Sequence, residues 1–209
     1  MNTAAKIISF VFHPLLFATY MFLLFWMTFP IAFDPIKEDG TLRFIFLLFC
    51  VTFILPVLML SLLRTLGFVE SFTMPERRHR IIPFTLISVF YTAITYVFYD
   101  RVEVSLNDNF LKFLIIINLL VLTSTLATFF YKVSIHSAGI WGLIGILLPL
   151  NKIADAGTLF FPMIVSLLLA GIIMSARLYL NVHKLSEVLL GALVGFSTSF
   201  LTMHFLFRY

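Results

Sequence analysis

The chain has 209 residues and a formal net charge of +4, and 61% of its residues are hydrophobic, including 26 phenylalanines. A soluble domain is roughly 45–50% apolar; the excess here lies in long blocks, which points to an all-α polytopic transmembrane bundle and excludes a soluble enzyme. So small a positive charge argues against nucleic-acid binding, and a lone cysteine, Cys50, excludes an intrachain disulfide.

A helix crosses the hydrocarbon core with about 20 apolar residues. By that measure spans are expected near residues 8–30, 43–66, 82–99, 110–131, 138–151, 158–176 and 186–206. The fifth is short, so seven spans are the preferred reading and six with a short inserted helix the alternative, in one integral membrane domain covering 1–209. The first run is too long for a cleaved signal peptide and lacks a small-x-small exit, so it reads as a retained span. Its His13-Pro14 pair reads as a proline-bent helix start with an interfacial histidine. A polar turn at 34–40 leads to the second span.

Between the second and third spans lies a basic loop holding Arg77, Arg78 and Arg80. It reads either as orienting charge at the headgroups or as a phosphate-binding arm. Asn118 and the neighbouring threonines and serine of the fourth span can hydrogen-bond helix to helix. Ser134 and His136 follow, directly before a helix whose Gly139, Gly142 and Gly145 allow close backbone approach, so that helix is expected inside the bundle. The sixth span ends at Arg177, with His183 and Glu187 before the last span, whose Gly191 and Gly195 read as a packing face. His204 reads as interfacial.

Ionisable groups at the edge of apolar segments are costly and imply function. His183 and Glu187 share a face if the last helix has already begun at His183. With seven spans, the arginine loop, Ser134 and His136, and the Arg177–Glu187 segment all fall on one side of the membrane. Two histidines, several arginines and a single carboxylate do not suit a carboxylate-rich metal site or an HExxH zinc site, and no GxSxG supports a serine hydrolase. They suit phosphoryl transfer without a metal or other cofactor. One imidazole attacks phosphorus, another protonates the leaving oxygen, and guanidiniums neutralise the equatorial oxygens.

The pattern Ala176-Arg177, His183, Glu187 has the spacing of the third motif (S-R-x5-H-x3-D) of the type-2 phosphatidic acid phosphatase superfamily, which the C-terminal half resembles. Val133-Ser134-Ile135-His136 is similar to its second motif. The family's serine is Ala176 here, its aspartate is Glu187, and its first motif (K-x6-R-P) is degenerate, with Arg77–Pro83 the nearest segment. The resemblance implies an acid phosphatase/vanadium haloperoxidase-like core over residues 82–209, with 1–81 as additional N-terminal spans. It implies a membrane phosphatase acting on a lipid phosphate or isoprenyl diphosphate through a phosphohistidine. In that scheme His183 is the nucleophile oriented by Glu187, and His136 is the general acid. Arg177 and Ser134 bind phosphate with help from Arg77, Arg78 or Arg80. The alternatives are an inactive relative that binds lipid phosphate, or a non-enzymatic membrane transporter. Much of the loop charge on the site's side belongs to the proposed site, so the positive-inside rule does not orient the chain. The resemblance implies a bacterial inner membrane with the site facing the periplasm.

Overall fold

In a computed structural model, the chain is described except for residues 1, 35, 37, 70–73, 75, 102–104, 106–107, 153, 155–156 and 208–209. The described residues form α1 (Asn2–Val11), α2 (Phe17–Thr28), α3 (Glu38–Phe49), α4 (Leu55–Thr65), α5 (Arg78–Arg101), α6 (Asn109–Phe130), α7 (Ile135–Leu150), α8 (Phe160–Tyr179) and α9 (Leu185–Phe207). Six stretches are long and apolar enough to cross a membrane: Thr3–Thr28, Gly40–Thr65, Arg78–Asp100, Asn109–Phe130, Phe160–Tyr179 and Leu185–Phe207. They mark an integral membrane protein.

The first two spans are interrupted helices, with a proline at each interruption. Pro14 opens a short 3₁₀ turn between α1 and α2. A π turn over Cys50–Ile54 joins α3 to α4, whose second residue is Pro56. Proline cannot donate to the preceding turn, and π geometry absorbs the misfit by shifting the hydrogen-bond register. The Tyr91 hydroxyl of α5 donates to the Thr52 carbonyl within that turn, at 2.9 Å.

The 16-residue α7 is the shorter apolar helix of the set, and it lies in the middle of the bundle. At 1.5 Å per residue it extends about 24 Å. Small residues decide its position. A Cβ on Gly195 of α9 would lie 2.2 Å from the Ala138 carbonyl oxygen, and one on Gly191 would lie 2.4 Å from that of Ser134. Only glycine lets the two backbones come so close, and α7 is accordingly buried along most of its length. Polar pairs join the outer helices: Ser88 with Thr125 at 2.7 Å, Thr92 with Asn118 at 3.1 Å, and Thr123 with Thr198 at 3.0 Å. Away from the histidines, Phe22, Phe25, Phe33, Phe110 and Phe113 pack with Leu147 and Leu150 into the main apolar cluster.

The basic segment differs from its expected loop. Arg78 and Arg80 belong to the first turn of α5, which puts the three arginines in different directions around a helix start.

Candidate active site

The last loop is built by its own backbone. Helix α8 closes at Leu180, whose N–H reaches the Ala176 carbonyl, and Asn181 turns the chain with φ of 52°. Asparagine tolerates this left-handed conformation because its short polar side chain can bond locally, and it is a common helix terminator. The chain then reverses through His183 into α9. Glu187, in the first turn of α9, reaches back to accept the Lys184 N–H at 3.3 Å and the His183 Nδ1–H at 2.6 Å. Such a backward reach by a third-position glutamate is half of a capping box. His183 precedes the helix, so its bond to Glu187 comes from this folded-back turn, not from a shared helical face.

Lys132 supports the same carboxylate from the α6–α7 connection, with its Nζ 3.7 Å from Glu187 Oε2, and donates to the Val182 carbonyl at 3.0 Å. The Ser134 N–H donates to the Glu187 backbone carbonyl at 3.1 Å. The third group arrives on α5: Arg80, only 5% exposed, donates Nη1–H to the Val133 carbonyl at 3.2 Å and Nε–H to that of Met74 at 2.8 Å. The three polar segments therefore meet, joined largely by backbone atoms.

They enclose one end of a cavity of about 630 Å³. Its polar end is lined by His13, His136, His183, Arg80, Arg177 and Lys6, and none of the described residues lining it is acidic. The Nε of Arg177 is buried and has no hydrogen-bond partner among the described residues. Arg177 is within electrostatic reach of all three histidines, and Arg80 is within reach of His183 and Arg177. His183 is held well below the ordinary histidine range, first by burial and then by these two arginines, while its bond to Glu187 opposes the shift. The imidazole thus stays neutral, with Nδ1–H on Glu187 and Nε2 unprotonated. His136 places its Nε2 3.0 Å from the Ser9 carbonyl. From this end the cavity runs along α7 as far as Ile146 between apolar side chains of α2, α5 and α6. The ten steps from His136 to Ile146 correspond to about 15 Å of helix.

Not every expected residue reaches this space. Ser134 is fully buried, and its Oγ accepts from Ser137 Oγ at 3.1 Å, so it braces the α7 start instead of lining the cavity. Arg77 turns away and donates to the Thr128 and Phe129 carbonyls at the end of α6. Arg78 is exposed and does not line the cavity. Of the upstream arginines, Arg80 alone lines it. His13, expected at the interface, lies in the cavity wall instead. Its sequence signal was the spacing of Lys6, Ser9, Phe10 and His13, one face of a helix continued to its end. Residues before 82 thus build part of the site. Among the described residues, no three His, Cys, Asp or Glu side chains group as a metal site would require. Compared with known protein families, curated proteins and solved structures, the chain matches none.

Proposed function

We propose that the protein is a membrane phosphatase hydrolysing a lipid phosphate or diphosphate through a phosphohistidine. The observation that carries this reading is the cavity itself. Buried guanidiniums and imidazoles face a space with no carboxylate among its described lining residues, and an apolar channel continues from it. Uncompensated buried cations are costly, and a phosphate supplies both the missing charge and the missing hydrogen-bond acceptors. The channel suits the apolar tail of the same molecule.

In the reaction, His183 Nε2 attacks phosphorus while Glu187 holds Nδ1–H and stabilises the charge that develops on the ring. The P–N bond forms as the P–O bond to the lipid breaks. His136, keeping Nε2–H on the Ser9 carbonyl, takes up its second proton once the bound phosphate offsets the charge of Arg177, and gives that Nδ1 proton to the departing oxygen. In the second half, neutral His136 takes a proton from water, water oxygen bonds to phosphorus, and His183 leaves. Arg80 and Arg177 stabilise the equatorial oxygens, where loss of one well-placed donor typically costs about 10²–10³ in rate. The resemblance favours a periplasmic site in a bacterial inner membrane.

The test is phosphate release by the purified chain from phosphatidic acid, undecaprenyl diphosphate and phosphatidylglycerol phosphate, with and without chelator. Chelator-resistant release from one of them is expected, and His183→Ala should lower it at least about 10³-fold while the chain stays folded. Unchanged turnover in that variant ends the proposal. A binding protein without turnover is the second reading. It is favoured by Ser134, whose hydroxyl is turned to Ser137, and by Ala176 in the family's serine position. Binding without release in the same assay supports it.

A further inference from the structure

The N-terminal helix, outside every motif of the resemblance, forms part of the cavity wall. Lys6, Ser9 and Phe10 of α1, and His13 just beyond it, all line the space. The Ser9 carbonyl receives His136 Nε2, so this wall already positions one imidazole of the site.

His13 brings another. Its backbone is extended (φ −64°, ψ 137°), and its Nδ1 accepts the Leu15 N–H at 3.4 Å where Pro14 opens the short 3₁₀ turn. A nitrogen that accepts a hydrogen bond carries no proton, so the neutral ring holds its hydrogen on Nε2. Among the described residues nothing accepts that Nε2–H. The ring is wedged edge-on between Phe53 at 6.1 Å and His136 at 6.0 Å, centroid to centroid.

We propose that His13 is a third phosphate ligand, whose Nε2–H donates to a non-bridging oxygen held by Arg80 and Arg177. This rests on reading the cavity as a phosphate site and does not require turnover. The helix break fixes the protonation of the ring. The Leu15 N–H stabilises unprotonated Nδ1, so His13 serves as a neutral donor. A neutral donor suits the place, because a further cation 6.0 Å from His136 would oppose the imidazolium that His136 must become.

His13→Asn separates the two functions of the side chain. Asparagine is among the best caps and keeps an acceptor for Leu15 N–H, but it is too short to deliver a donor where Nε2 stood. His13→Gln restores an amide N–H near that position. The measurement is calorimetric binding of inorganic phosphate to the purified full chain in lipid nanodiscs, with thermal melting alongside. His13→Asn is expected to melt like the unaltered chain and to bind phosphate about tenfold more weakly, the usual size of a lost charge-assisted hydrogen bond. His13→Gln is expected to bind close to the original level. Undiminished phosphate binding by His13→Asn overturns the proposal and leaves His13 a cap alone. If that variant does not fold, His13→Met replaces it in the comparison with His13→Gln, and equal binding by those two overturns the proposal. A chain that binds phosphate but releases none from any lipid removes the phosphatase reading and leaves the His13 test intact. A chain that binds no phosphate overturns both.

Discussion

The two ends of α7 occupy opposite environments. Around Leu147 and Leu150 the neighbours are phenylalanines in contact: Phe25 and Phe113 have centroids 4.8 Å apart, Phe44 and Phe110 5.1 Å, and Phe22 and Phe110 5.3 Å. Around Ile135 and His136 the neighbours are imidazoles, guanidiniums and open space. Both ends belong to one helix, held against α9 by the same glycine-lined contact from Ser134 to Gly145. The contrast therefore lies in what surrounds α7, not in how the helix is made. One end is completed by the chain's own side chains, as protein interiors normally are. The other keeps buried donors without protein partners, which is costly unless a ligand supplies them.

The comparison is tested most severely at the aromatic end. Phe110→Ala leaves a void amid rings that cannot collapse onto it, and should lower stability by about 3–5 kcal/mol while activity per folded molecule stays unchanged. Denaturant unfolding in detergent and active-site-normalised turnover check the two halves of that statement, and a parallel loss of specific activity would break the division. Glu187→Gln probes the other end. It keeps the length and the acceptor for His183 but removes the charge, so turnover should fall about 10–100-fold with little change in unfolding. The pH profile sharpens this. His183 lies below its ordinary value of 6.5, so the acid limb of turnover should fall below that pH. Glu187 favours protonation of His183, so Glu187→Gln should move the limb lower still. Stability follows the same sign. The unfolded chain takes up this proton more readily than the folded one, so the His183 contribution weakens the fold as pH drops below 6.5. The smallest effect is expected for Arg78→Ala. Its side chain is exposed and outside the cavity, so phosphate release should match that of the unaltered chain, whereas Arg80→Ala should not.

The spans were legible because long apolar blocks have few other uses, and the buried place of α7 was legible from Gly139, Gly142 and Gly145. The breaks inside the first two spans were not, although Pro14 and Pro56 stand at them. Proline states that a turn must adjust, but not whether the helix bends, tightens or widens. The His183–Glu187 pair was visible in its spacing even though the turn that makes it was not. Choosing among Arg77, Arg78 and Arg80 needed the phase of α5, because each residue advances about 100° around a helix and one added residue changes which arginine faces inward. Ser134 misled because a hydroxyl at a helix start has local alternatives, and Ser137 provides one. His13 was hidden by its proline neighbour, which by itself accounts for a histidine beside a helix break.

The cavity beside α7 has a thermodynamic consequence of its own. The cavity of about 630 Å³ has a mostly apolar lining. A hydrocarbon chain entering it gains dispersion contacts with that lining, and any molecule that binds only the folded state stabilises it by mass action. Under the proposed function a lipid tail is then more than the handle of a substrate. Under that reading a bound tail is part of the interior, and its binding should raise the melting temperature of the folded chain.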